Sequence, residues 1–430
     1  MDNFILKGDI VFSKSMTELE ISESSFAVCE NGICKGVFKT IPERFSDFPV
    51  KDHTGCLIIP GLTDIHLHAP QFPFCGTGTD LELLEWLERC AFPEEEKYSD
   101  EAYAQKAYSA FVSEMIKSGI TRACIFATVH TKATEMLMDM LDKTGLVTFV
   151  GKVSMDRNSP QSLTEKNTDD LKNMLCNIQG KYKNTFPIIT PRFIPSCTDE
   201  MLDSLCEIRR SYSLPVQSHL SENPSEKELV SKLVPDSDFY GQAYNMHNLF
   251  GFDIKTGEHF KTIMAHCVYS EDEEIKLMSK NGVIAAHCPA SNINLRSGIA
   301  PVRKLLQSGV PVGLGSDIGA GHTLSPFRAV TDAVQVSKLY QRLKDHGARP
   351  LTFAEAFYLS THAGGFFGNI GKFCDGYMFD ALVLDDSASR PLYPMTAAER
   401  LERYAYLFTD NKGIKEKYVN GKAVYLQERI

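Results

Sequence analysis

The sequence predicts an α/β protein: a (β/α)8 barrel carrying a small β-sandwich domain built from both chain ends. Three observations predict it. Eight apolar runs recur between residues 57 and 315, most of them separated by amphipathic segments. The stretches 1–56 and 372–430 lack that texture and read as short strands with turn signals. Several of the apolar runs stop on an ionisable residue, and a barrel builds its active site at the C-terminal ends of its strands.

At 430 residues the chain is too long for one small core, so the expected division is a composite β domain, 1–56 with 372–430, beside a barrel over 57–371. Residues 4–12 and 25–29 read as strands, punctuated by Asn31-Gly32 and by the turn at 52–55. The eight apolar runs are 57–65, 121–128, 146–153, 186–191, 214–219, 262–266, 283–287 and 310–315. Helical periodicity marks 100–117, 131–143, 199–211 and 271–280 between them. Continuous apolar strands alternating with helices indicate a parallel sheet covered on both sides. Two long insertions, 70–99 and 222–259, leave the C-terminal ends of runs one and five. Strands return at 377–384 and 416–425, the second with an Asn420-Gly421 hairpin turn.

Composition narrows the function classes. Apolar residues make up 43% and charged residues 23%, as in soluble globular proteins. A net charge of −10 argues against nucleic-acid partners, which need a basic face. No apolar run reaches the roughly 18 residues of a membrane span, and the N-terminus lacks the basic and apolar regions of a signal peptide. The 12 scattered cysteines form no CxxC pair and read as reduced cytoplasmic thiols, none assigned to a metal.

The residues that carry chemistry sit at the strand ends. His66 and His68, two apart on a strand, point to one face and can chelate a cation. Strand five ends on His219, six on His266, seven on His287, and eight runs into Gly315-Ser316-Asp317. Three imidazoles and a carboxylate make a sound shell for a divalent ion, so His66, His68, His219 and Asp317 are assigned to the metal. His266 is either a further ligand or a hydrogen-bond partner of the metal-bound water. His287 either supports the ligands or is structural. His53, His130, His247, His259, His322, His346 and His362 fall outside the pattern. A bound cation makes hydroxide at neutral pH, and hydrolysis then needs a proton shuttle. Glu222, three residues past His219, is placed to serve, and Asp317 can also accept the water's proton.

Together, Pro60-Gly61-Leu62-Thr63-Asp64-Ile65-His66-Leu67-His68, Ser218-His219-Leu220-Ser221-Glu222, Ala265-His266-Cys267, His287-Cys288-Pro289-Ala290-Ser291-Asn292 and Gly315-Ser316-Asp317 resemble the amidohydrolase superfamily. Within it, His68-Ala69-Pro70-Gln71, Leu84-Glu85-Trp86-Leu87 and Pro191-Arg192-Phe193 are similar to the motifs of the guanine deaminases. The resemblance spans about residues 56 to 385. It implies one Zn2+ per subunit in a cytoplasmic homodimer that hydrolyses guanine to xanthine and ammonia in purine metabolism, with Fe2+ suited to the same ligands. By position it gives Gln71, Arg192 and Phe193 to the purine, alongside His219 and Glu222. The resemblance further implies that metal hydroxide attacks C2, Glu222 protonates N3, and Asp317 passes a proton to the departing amine. Where two-metal relatives carry a carboxylated lysine, strand four here ends Thr190-Pro191-Arg192, which supports a single ion. Arg296 departs from the pattern, where a small residue is expected. The competing readings are another aminohydrolase on the same scaffold, acting on cytosine, a triazine or another purine, and a non-catalytic barrel scaffold.

Overall fold

The computed structural model describes residues 3–389 and 392–426. Its first four strands are β1 (Phe4–Ser13), β2 (Leu19–Glu30), β3 (Ile33–Phe38) and β4 (Val50–Pro60). The β2–β3 turn places Asn31 and Gly32 at φ +54° and +82°, the pair of positive values a tight hairpin requires.

An arc of parallel strands follows, each holding one of the eight expected positions. β5 (Leu62–His68) pairs β6 (Ile120–Phe126), which pairs β7 (Val147–Gly151). The third and fourth positions are each broken in two. β7 continues as β8 (Val153–Ser154), and β9 (Thr185–Pro187) continues as β10 (Thr190–Pro191); β7 pairs β9 and β8 pairs β10. A single bridge, Ile189 to Val216, leads on to β11 (Val216–Leu220). The insertion after β11 holds a short antiparallel pair, β12 (Phe252–Asp253) with β13 (Glu258–His259). The arc then runs through β14 (Thr262–His266), β15 (Ile284–His287) and β16 (Val312–Leu314). Between its two ends the main chain is joined by Asp317 N–H donating to the His66 carbonyl at 2.8 Å. Helices cover the outside. The helix Glu101–Lys117 starts where the Asp100 side chain accepts from Ala102 N–H, and it turns Ala104, Tyr108, Phe111 and Met115 inward. None of the helices among the described residues is long and apolar enough to cross a membrane.

After the arc, β17 (Ala381–Leu384), β18 (Ile414–Val419) and β19 (Lys422–Leu426) return to β4. The result is one seven-stranded sheet, ordered β19-β18-β17-β4-β1-β2-β3, where a pair of stacked sheets was expected. It curls on itself: Cys34 N–H donates to the Tyr377 carbonyl and Phe379 N–H to the Gly32 carbonyl. Phe4, Ile10, Phe373, Phe379 and Tyr418 fill the inside of that curl. On its other face, Leu57, Ile59 and Leu382 join the main core under the arc.

The expected first barrel strand, 57–65, is in fact two strands. The chain leaves the end sheet at Pro60 and enters the arc at Leu62. Gly61 makes the hand-over, because a Cβ there would stand 2.4 Å from the Thr121 side chain. One run of apolar residues serves both sheets, so its pattern carried no sign of the break.

The two parts are also joined by buried polar groups. Lys417 of β18 is fully buried, and its ammonium donates to the carbonyls of Met115, Ser118 and Ile120 at 3.0, 2.8 and 3.0 Å. It thereby caps the end of the helix Glu101–Lys117. Arg122 forms a two-pronged pair with Asp380. Lys417→Met strands three carbonyls away from water. It is expected to lower stability by about 2–4 kcal/mol, read by urea unfolding.

Candidate active site

His66 and His68 lie at the end of β5, His219 one residue before the end of β11, and Asp317 just beyond β16. The arc brings them together. His66 Nε2 and His68 Nε2 stand 3.3 and 3.5 Å from Asp317 Oδ1. The Nε2 atoms of His68 and His219 are 3.1 Å apart. His266 Nε2 completes the ring, 3.8 Å from Asp317 Oδ2 and 3.4 Å from Glu222 Oε2. Phe126, ending β6, packs its ring 4.6 Å from His68 and 4.9 Å from His66, closing the cluster below.

Backbone and neighbours aim these groups. His266 and Asp317 sit at φ +74° and +49°, each a strained conformation costing about 1–3 kcal/mol that the surrounding packing must hold. His219 Nδ1 donates to the Arg192 carbonyl at 2.6 Å, so its Nε2 lone pair faces the cluster. His266 Nδ1 donates to Asn292 Oδ1 at 2.9 Å. Asp64 Oδ1 accepts from Ser316 N–H and His66 N–H, tying the two ends of the arc below the ligands.

The electrostatics sort the groups by role. Burial holds His66 below the ordinary histidine value and His68 and His219 far below it, so these imidazoles are neutral with free lone pairs. Both ring nitrogens of His66 and Nδ1 of His68 have no hydrogen-bond partner among the described residues. Against its burial, Asp317 is held well below the carboxylate range by His66, His266 and His68. Glu222 moves the other way: burial lifts it to about 7, against the pull of His266. Ser297 Oγ donates to Glu222 Oε1 at 3.0 Å and fixes its rotamer. Neutral imidazoles with unsatisfied lone pairs around one anionic carboxylate suit a divalent cation.

A cavity opens onto this cluster, lined among others by Gln71, Trp86, Arg192, Phe193 and Glu222. Gln71 and Arg192 are buried in its wall, and Glu95 joins them: Gln71 Nε2 donates to Glu95 Oε1 at 2.9 Å and Arg192 Nη1 to Glu95 Oε2 at 2.7 Å. The guanidinium lies over the Phe92 ring at 5.3 Å. Phe193 is buried beside Trp86 and Leu87, on the insertion that follows β5.

All the residues singled out at strand ends therefore converge except His287. Its ring turns away from the mouth, into a separate cavity lined by Val302, Arg303, Val336 and Tyr340. Both its nitrogens are buried without a partner among the described residues. Arg296 is on the rim, 3.8 Å from Glu82. The groups able to hold an ion among the described residues draw only on His66, His68, His219, His266 and Asp317. Sequence reasoning missed Glu95, Phe126, Ser297 and the role of Asn292. Phe126 ends a strand as the histidines do and could have been found by the same rule. Glu95 could not: it is the middle of three glutamates, and only the helical turn of Phe92–Glu96 sets it inward.

Fold and site together define a metal-dependent hydrolase of the amidohydrolase kind. The profile described as "Amidohydrolase family" matches residues 57–424, and the chain belongs to that family. Its relatives carry a narrower name. The guanine deaminase of Dictyostelium discoideum is 35% identical over 449 aligned positions, covering 98% of this chain and 98% of its own. That of Mus musculus is 36% identical over 383 positions, covering 85% of this chain and 82% of its own. The crystal structure of guanine deaminase from C. acetobutylicum, with guanine bound in its active site, superposes with a TM-score of 0.94 at 42% identity, covering 99% of this chain and 100% of that one.

Two outcomes test the site. Zinc added at a hundredfold over its dissociation constant should stabilise the metal-free protein by about 2.7 kcal/mol, and His66→Ala should remove that gain in thermal unfolding. The second concerns His287. Burial pushes it down to about 3, whereas an unfolded histidine titrates near 6.5. Between those values the unfolded chain binds the extra proton, so this group's contribution is full above about pH 6.5 and is lost as pH falls toward 3. From pH 7 to 5 the protein should lose about 2 kcal/mol that His287→Phe does not lose, measured by denaturant unfolding.

Proposed function

We propose that this chain hydrolyses guanine to xanthine and ammonia. The observation that carries the reading is the cavity itself. It joins a buried three-imidazole, one-carboxylate cluster to an arginine, a glutamine and a phenylalanine, in a chain alike over nearly its whole length to an enzyme holding guanine. In this reading the eight parallel positions close as a (β/α)8 barrel that begins at β5, with β1–β4 and β17–β19 as its β domain.

His66, His68, His219 and Asp317 hold one divalent ion, zinc before iron. When bound, such an ion supplies a water acidic enough to be a nucleophile at neutral pH. The chain's own groups do the rest. Arg192 and Gln71 fix the purine edge, Phe193 stacks on the ring, and C2 faces the cluster. Burial lifts Glu222 to about 7, so it can carry a proton at neutral pH, and it delivers that proton to N3 as water adds to C2. Asp317, held anionic by its imidazole neighbours, takes the proton of the attacking water and passes it to the 2-amino group. His266 bridges the two carboxylates and steadies the charge that moves between them. Ammonia leaves, the C2 hydroxyl gives its proton to Glu222, and C2 keeps the oxygen as the xanthine carbonyl with N3 still protonated.

The proposal includes a homodimer in the cytoplasm. The 12 free thiols suit a reducing compartment. Leu339 and Leu343, exposed four apart on the helix Pro326–Leu343, suit a covered face.

Ammonia release with guanine is the test. Wild type should turn over guanine, and Glu222→Gln should lose about 10²–10⁴ in kcat while keeping its metal. His68→Ala should lose both. Full-speed Glu222→Gln contradicts the proton assignment, and an inert wild type contradicts the substrate.

A further inference from the structure

Behind the cavity wall, bonded to Gln71 and Arg192, lies a carboxylate that the reaction above leaves without a role. Glu95 is fully buried, lies outside the ligand cluster, and has its two oxygens committed to two different side chains. One accepts from the guanidinium of Arg192, which has only donors to offer. The other must then settle which end of the Gln71 amide faces it. An ionised carboxylate accepts and cannot donate, so the amide turns its Nε2 to Glu95 and its carbonyl away. Gln71 Oε1 is accordingly buried with no hydrogen-bond partner among the described residues. Gly319 makes room for the Gln71 side chain, since a Cβ there would stand 2.2 Å from Oε1 and 2.5 Å from the Gln71 Cβ.

We infer that Glu95 is the specificity-determining residue of this pocket. Through it the wall presents one acceptor, Gln71 Oε1, beside one donor, Arg192, and so selects purines with a C6 oxygen and a proton on N1. The inference rests on the guanine reading and deepens it. A 6-oxo purine offers N1–H and O6 side by side, the complement of that pair. A 6-amino purine offers a bare N1 and an N–H, which would set acceptor against acceptor and donor against donor. Burial makes the mismatch costly, because unpaired polar groups there have no water to turn to. Glu94 and Glu96 on either side do different work: Glu94 accepts from Lys97 and Tyr103, and Glu96 from Ser162.

Replacing the carboxylate by an amide should invert the pair. In Glu95→Gln the new amide must give its oxygen to Arg192, which leaves its NH2 facing Gln71. The Gln71 amide then turns over and shows its own NH2 to the cavity. Gln71 and Arg192 keep their identities throughout, so the change is one of orientation.

The experiment measures metal-loaded wild type and Glu95→Gln with guanine and with 2,6-diaminopurine, which has the same 2-amino group, an amino group at C6 and no proton on N1. Wild type should favour guanine by at least about a hundredfold in kcat/KM. Glu95→Gln should shrink that preference at least about tenfold, through KM more than kcat, with metal content unchanged. Glu95→Asp, still acceptor-only, should keep the preference even where it is slower. An unchanged preference in Glu95→Gln overturns the inference. Should that variant fail to fold, wild type decides: hypoxanthine must inhibit guanine turnover at least about tenfold more strongly than adenine, and equal inhibition overturns it. A wild type inert toward guanine defeats the reading of the activity, and the inference falls with it.

Discussion

The structure depends on an electrostatic problem that folding creates and a cation resolves. Three neutral imidazoles and one carboxylate are packed where water does not reach, with lone pairs turned toward each other across 3.1 to 3.5 Å. Such a cluster is repulsive between its nitrogens unless a positive charge sits among them. The fold holds it by setting the ligands at the ends of three different strands, His66 and His68 on β5, His219 on β11 and Asp317 just past β16, so that no single element can relax without breaking a ladder. Asp64, which accepts from the main chain of both β5 and the segment after β16, ties the two ends of the arc beneath the ligands.

From that cluster the chemistry divides by charge. Two carboxylates share His266 as a neighbour and are driven in opposite directions. Asp317 is held anionic by three imidazoles, while burial lifts Glu222 to about 7. A base and an acid a few ångströms apart, kept distinct by their surroundings, are what a proton-relaying hydrolysis needs. The substrate wall uses the same economy. Glu95 spends its two oxygens on two side chains and so gives the cavity a fixed hydrogen-bond polarity.

What the sequence made legible follows the physics of strands. His66, His68, His219, His266 and Asp317 were readable because each ends an apolar run, and a parallel arc brings such ends to one place. β14 has the bounds that its run of residues suggests. The less legible parts were those where one pattern served two purposes. Residues 57–65 look like one strand, yet Gly61 divides them between two sheets. The third position breaks at Gly151-Lys152 and the fourth after Pro187, short interruptions that a reading by apolar runs passes over. His287 ends a strand like the others but faces the helices, since alternate residues of a strand point to opposite sides and the pattern does not say where the parity falls. Glu95 stood in a run of three acids with nothing to single it out. In each case the missing information was a direction in space, which composition and spacing do not encode.

The most direct measurement is X-ray absorption at the metal edge of the purified, metal-loaded protein. This account predicts a shell of imidazole nitrogen and carboxylate oxygen at about 2.0–2.1 Å around a lone ion. A sulfur shell near about 2.3 Å, or a second metal at about 3.5–4 Å, would contradict it.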